Sequence, residues 1–292
     1  MRLRIILSLL CLSSMVLHAE EGKFESAFRK QVGVFLNALD EEQAKKCLLD
    51  VTDKRRHKKQ YTGGKRPGIS IGKLNEKQRA EMEKTVRMVL SDHGWKMANT
   101  VARQDKQGMN KYFITCFGDP RKGGDFAFRL AEHHLTIVHL EVAEGNTKEF
   151  GPILLGSNPP EIWLEDEALL MKAWKQGGTE KLLLEGSGIA SKQMKAGQGM
   201  KFSDLKPEMQ ATLKEAWKLR ISIFTKPIQQ RLNGMHKERG GWEKSRVAYY
   251  GQPPHKRSKD GGRWDFKCGL PGMVWDYECS RGHIHMSLCV EK

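Results

Sequence analysis

Four histidines stand in two tight groups, His133-His134 and His283-Ile284-His285. Side chains in a β-strand alternate between its two faces, so His283 and His285 point the same way, roughly 6.6 Å apart at the backbone. Two imidazoles need that arrangement to grip one metal ion. Adjacent histidines in a strand point oppositely, so only one of His133 and His134 can join the other pair unless the strand bulges. Three nitrogen ligands with an open position describe a catalytic site of the zinc type. Glu132, on the His134 face of the same run, is placed to act as a base or as a further ligand. The cofactor this set implies is a divalent metal such as zinc. The competing reading is a set of buried histidines that only hydrogen-bond neighbouring strands.

The stretch that must carry the first pair is Phe126 to Val142, rich in β-branched and aromatic residues and free of Gly and Pro. It reads as one long strand with the histidines at its middle. Glu132, His134 and Thr136 sit together on its greasier face, and an unpaired buried polar group costs roughly 1–3 kcal/mol. Those three side chains therefore need partners. The second pair belongs to the last of four short C-terminal strands, Arg246–Tyr250, Arg263–Lys267, Met273–Cys279 and His283–Val290. Asp265, Asp276 and Glu278 lie on these strands, with no spacing that fixes a catalytic separation.

Apolar residues at helical intervals mark Phe24–Leu49, Leu74–His93 (capped by Asn75), Glu165–Trp174 and Ser203–Leu219, and a further helix follows to His236 with a break near Pro227. Tyr112–Phe117 is a strand, Gly145-Asn146 a turn, and Pro152 to Pro160 a segment leaving the sheet. One pattern occurs twice. Phe117-Gly118-Asp119-Pro120 precedes Gly123-Gly124-Asp125-Phe126, and Tyr250-Gly251-Gln252-Pro253 precedes Gly261-Gly262-Arg263-Trp264. Duplication into two helix-plus-sheet halves, 20–160 and 161–292, explains it; chance similarity of aromatic strands is the alternative. The expected architecture is α+β, a single domain over 20–292 with a central, mainly antiparallel sheet flanked by helices.

Other motifs are absent. The basic loop from Lys54 to Gly68 lacks the glycine, lysine and hydroxyl spacing of a phosphate loop. Gly186-Ser187-Gly188 lacks the spacing of a serine nucleophile elbow.

Met1-Arg2-Leu3-Arg4 followed by the apolar run Ile5–Leu17 and by His18-Ala19 reads as an export leader over 1–19. The mature chain is expected outside the cytoplasm, periplasmic or secreted, with no transmembrane segment. Export permits disulfides, and Cys268, Cys279 and Cys289 lie close enough in sequence for a bridge among them; as small core residues they need none. A formal net charge of +15 favours anionic surroundings. Lys256, Arg257 and Lys259, near Trp264, Trp275, Tyr249 and Tyr250, form a candidate surface for an acidic glycan or other polyanion. Nucleic acid is not expected as the partner. A metal-assisted, hydrolase-like enzyme acting on a small molecule is the leading function; a non-catalytic polyanion-binding protein is the alternative.

Several motifs occur in an order that resembles the domain of unknown function 3500 family. They are Tyr112 to Pro120, His133-His134-Leu135-Thr136, Leu155-Gly156-Ser157-Asn158-Pro159, and His283-Ile284-His285. The resemblance spans nearly the whole mature chain, including the helix Leu74–His93. It departs from the family pattern at Glu132, where a glycine precedes the paired histidines, and at Val138, where an asparagine follows them. The resemblance implies an architecture more than an activity.

Overall fold

The computed structural model describes residues 22–141, 149–157, 161–186, 192, 194–195, 197–280 and 282–291. The expected leader, the Gly145-Asn146 turn, Ser187-Gly188 and Asn158-Pro159-Pro160 lie outside the described residues. The chain opens with helix α1 (22–38), whose Phe28, Val32, Phe35 and Leu36 are buried at helical spacing. Asp40 then caps α2 (Glu41–Cys47) in a reciprocal capping box with Gln43. Strand β1 (Leu48–Leu49) follows without a break, and β2 (Ile69–Ser70) comes after a long connection.

The helix expected over Leu74–His93 is two helices. Asn75 caps α3 (Glu76–Val89) through a capping box with Gln78, and Ser91 caps α4 (Asp92–Ala102) by accepting from Gly94. Gly94 lies in the first turn of α4. A Cβ there would fall 1.9 Å from the carbonyl oxygen of Ile223, so only glycine lets the two connections touch.

Strands β3 (Phe113–Phe117), β4 (Phe126–Glu132), β5 (Leu135–Glu141) and β6 (Phe150–Ser157) come next. The second part of the chain supplies α5 (Leu164–Gly177), β7 (Leu183–Leu184), β8 (Met200–Lys201), α6 (Pro207–Ile221), α7 (Lys226–Glu238) and the short α8 (Gly241–Lys244). It ends in β9 (Arg246–Gly251), β10 (Arg263–Leu270), β11 (Met273–Ser280) and β12 (His283–Val290).

The single long strand expected over Phe126–Val142 is a hairpin. β4 and β5 pair antiparallel from Phe126↔Glu141 to Glu132↔Leu135, and His133-His134 form the two-residue turn between them. Such turns need a residue at positive φ, usually Gly or Asn; here His134 takes it, at φ 56°. Without a glycine signal, the sequence pattern ran straight through the turn. A second departure is β6. Pro152 does not leave the sheet but lies in a central strand, opposite a register irregularity between Leu288 and Val290, the kind of place where a strand tolerates a missing N–H.

Among the described residues twelve strands form one mostly antiparallel sheet in the order β1-β3-β4-β5-β6-β12-β11-β10-β9-β7, with β2 also on β3 and β8 also on β9. The fold is α+β. The order reads alike from both ends: each half has a parallel outermost pair (β1 on β3, β7 on β9) and then a four-strand meander, and the meanders meet where β6 pairs β12. Between the helix pairs, Ser91 N donates to Ile223 O and Thr225 N to Val89 O, each at 2.9 Å. Phe126 and Trp264, the aligned aromatics of the sequence echo, are the first residue of β4 and the second of β10.

The sheet has two unlike faces. Phe126, Phe128, Leu130, Ile137, Tyr277, Met286 and Leu288 join the helix residues in the main apolar core. The alternate positions face away from it and include Thr115, Arg129, Thr136, Asp265, Lys267, Asp276 and Ser287, all buried. A strap, residues 51–68, covers part of this polar face. Arg129 Nη2 donates to Lys58 O at 2.8 Å, Gln60 N to Thr136 Oγ1 at 3.0 Å, and Thr115 Oγ1 to Pro67 O at 2.8 Å. In the second half Lys267, aligned with Arg129, donates in the same way to Lys192 O at 2.8 Å.

Candidate metal centre

The β4–β5 turn and the start of β12 come together on the polar face. Ile284 and His285 of β12 pair with Ser157 and Gly156 of β6, and Leu135 at the hairpin pairs with Leu155. Three strands therefore bring His134 beside His283 and His285. One ring nitrogen from each lies within 4.8 Å of the others. The Nε2 atoms of His283 and His285 are 2.9 Å apart, close to the roughly 3.3 Å that two nitrogens at about 2.05 Å from a tetrahedral ion would show. The His134 ring centroid is 4.5 Å from that of His283 and 5.2 Å from that of His285.

The other ring nitrogens are held from behind. Nδ1 of His285 lies 2.7 Å from Glu278 Oε2, and Nδ1 of His134 lies 3.3 Å from Gln104 Oε1. These contacts fix ring orientation and leave Nε2 for an ion, which is how outer carboxylates and amides support histidine ligands. The hydrogen bond from His285 holds the Glu278 carboxyl below the usual range against the opposing effect of burial. Burial, reinforced by the neighbouring imidazoles, pushes His134 down to about 3 and lowers His283 as well. Those rings are therefore neutral near pH 7, the form that binds metal.

His133 takes another direction. Its ring stacks 4.1 Å from that of His134 on the same side of the turn, because a turn, unlike a strand, does not send neighbours to opposite faces. Its Nδ1 lies 3.3 Å from Asp105 Oδ2, and Lys111 Nζ binds Asp105 at 2.7 Å. Burial would raise the Asp105 carboxyl, but Lys111 and His133 outweigh it and keep it low. Tyr112 Oη donates to His133 O at 2.7 Å, pinning the turn.

Glu132 is fully buried, and its carboxylate meets the strap. Oε1 accepts from Gly64 N at 2.5 Å and lies 3.8 Å from Arg66 Nη2, while Oε2 accepts from the His133 N–H. The strap also lays Tyr61 against His285, ring centroids 5.0 Å apart and nearly perpendicular. Lys256, Arg257 and Lys259 are not part of this cluster. They lie in the β9–β10 connection, where Arg257 shares a notch of about 250 Å³ with Lys172 and Lys175 of α5. Ser258, between them, donates through Oγ to His283 O at 3.4 Å.

Sequence reading missed Gln104, Asp105, Tyr61 and Gly156 at the centre, and gave Glu278 no partner. For Glu278 a signal existed: a hairpin closed by Ser280↔His283 puts Glu278 directly opposite His285. The others reach the site from a helix end, a strap and a neighbouring strand, which no local spacing encodes.

The structure thus defines an α+β protein with a three-histidine group that could hold a metal ion on the polar face of its sheet. Residues 21–183 match the family model described as protein of unknown function (DUF3500), and the chain belongs to that family. His134 lies within the matched stretch and His283 and His285 lie beyond it. No curated protein and no solved structure matches the chain.

Proposed function

We propose that this chain is an exported, metal-dependent enzyme of hydrolytic type, with a divalent ion such as zinc held by His134, His283 and His285. The observation that carries the reading is the convergence of three imidazoles, two of which have their other nitrogen held by Glu278 and Gln104. Three neutral ligands leave the ion its full positive charge, and when bound it would supply Lewis acidity to a water or a substrate oxygen. The soft-to-intermediate nitrogen donor set suits zinc or a neighbouring first-row metal better than magnesium or calcium. Around it, Glu278 and Gln104 orient the rings, Tyr61 covers one side of His285, and Glu132, at the end of β4 beside the turn, is the candidate base while it also holds the strap.

Metal analysis of purified protein tests the reading. About one equivalent per chain is expected, lost in His283→Ala and His285→Ala variants that still fold. A chain that takes up neither zinc nor cobalt would refute it. The polyanion reading draws support from one observation, the notch that joins Arg257 to Lys172 and Lys175. It requires binding to an acidic polymer that collapses as ionic strength rises.

A further inference from the structure

Five cysteines lie among the described residues, all buried and all as free thiols. The bridge considered among Cys268, Cys279 and Cys289 does not form. Cys268 pairs across β10–β11 with Trp275 and Cys279 with Trp264, an offset of four residues, or roughly 13 Å along the strands. Cys289 pairs with Val274 and so faces the other side of the sheet from Cys279, which pairs with Ile284. Disulfides span Cα atoms up to about 7 Å apart, with the Cβ atoms turned toward each other.

Cys47 and Cys116 differ. Cys47 is the last residue of α2, and Leu48, the next residue, pairs in parallel with Cys116 on β3. Strand spacing and rise put the two Cα atoms about 6 Å apart, inside disulfide reach. Cys47 Sγ lies 3.8 Å from Ile114 O, two residues along the same strand face as Cys116. The neighbouring Cys47 side chain, and then burial, hold the Cys116 thiol well above its ordinary range. We infer that Cys47 and Cys116 form a disulfide in the exported protein, tying the end of α2 to β3. The inference rests on the export reading for its oxidant but not on the metal reading.

The chemistry balances by exchange with an oxidised dithiol or glutathione disulfide. One cysteine, as thiolate, attacks the donor disulfide and releases one thiolate. The second cysteine then attacks the mixed disulfide, the Cys47–Cys116 bond forms, and the donor leaves fully reduced; two protons are lost from the pair. Both side chains are 0% exposed in the fold, so exchange takes place before α2 has docked. The bond then anchors the root of the strap, which begins two residues beyond β1 and carries Tyr61 to the histidines.

The test uses the chain without its first 19 residues, refolded in a glutathione redox buffer, beside the full chain secreted from cells. Each sample is alkylated in denaturant and digested without reduction. The expected result is a cross-linked peptide joining Cys47 to Cys116, three alkylated cysteines, and an intact mass about 2 Da below the reduced chain, the two hydrogens lost when a thiol pair is oxidised. Refolded Cys47→Ser protein should show four alkylated cysteines. Five alkylated cysteines in refolded protein that has regained its native circular dichroism, or a bridge through Cys268, Cys279 or Cys289, would overturn the inference. A refolded sample with the bridge and a full chain retained in the cytoplasm with six thiols, Cys11 included, would instead sink the export reading alone.

Discussion

A Cβ built on Gly156 would lie 2.6 Å from Cδ2 of His285 and 3.1 Å from Cβ of His134. β6 thus brings a glycine to the point where two of the three candidate ligands press against the sheet. Gly156 also donates from N to His134 O at 2.7 Å, so its backbone positions the turn while its missing side chain makes room for the rings. Gly156→Ala should displace His285, and titration with zinc against a competing chelator should show affinity lower by about tenfold or more, in line with losses from disturbed ligand support. An unchanged affinity would mean that the rings do not share one ion.

Glu278 tests the same centre from outside. Removing a carboxylate behind a histidine ligand typically lowers metal affinity by about 10–100-fold. Glu278→Ala is expected to fall in that range, whereas Glu278→Gln, which keeps an oxygen for the His285 Nδ1 proton, should lose less. Equal losses in the two variants would remove the orienting role.

Glu132 separates two roles by substitution. Glu132→Gln keeps an oxygen for the Gly64 N–H but abolishes a base; Glu132→Ala removes both. As strap latch, Glu132→Ala should make the 61–66 segment more sensitive to limited proteolysis, leaving Arg66 without its buried partner at a cost of about 3–5 kcal/mol. As base, Glu132→Gln should lose turnover with a normal proteolysis pattern, once a substrate has been found by screening ester, amide and phosphoester compounds.

The metal-free protein should weaken as it is acidified. Burial pushes the His134 imidazole down to about 3 in the fold against an ordinary value of 6.5, so between those values the unfolded chain holds more protons than the folded one. Stability is therefore fully present above pH 6.5 and falls as the pH drops toward 3, by up to about 1.4 kcal/mol per pH unit from this group. Urea unfolding at pH 7 and pH 5 measures the loss. His134→Asn, which tolerates the left-handed backbone of the turn, should flatten the dependence.

Bound metal should reverse much of that sensitivity. An ion held only by the folded chain stabilises it by about 2.7 kcal/mol when present at 100 times its dissociation constant. Thermal melts with and without a chelator should differ for the wild type and coincide for His283→Ala.

Much of the frame was legible beforehand. The C-terminal strands came out within three residues at each end because Gly251, Gly272 and Gly282 all mark their turns. The echo aligned Phe126 with Trp264 because two strands do the same job in each half. What failed was the β4–β5 turn, since a histidine at positive φ carries no compositional flag. The pairing of His134 with β12 was out of reach for another reason: it depends on β6 lying beside β12, a contact between residues more than a hundred positions apart, set by sheet order and not by local pattern.

The meeting of β6 with β12 has a consequence for assembly. Each half contributes an incomplete set of ligands, one from the first and two from the second, and the stretch matched by the family model carries only one of them. Ion uptake would therefore act as a coincidence detector for a finished fold: neither fragment should load zinc by itself, and mixing separately produced 20–160 and 161–292 would regain uptake only if the central seam zips in register.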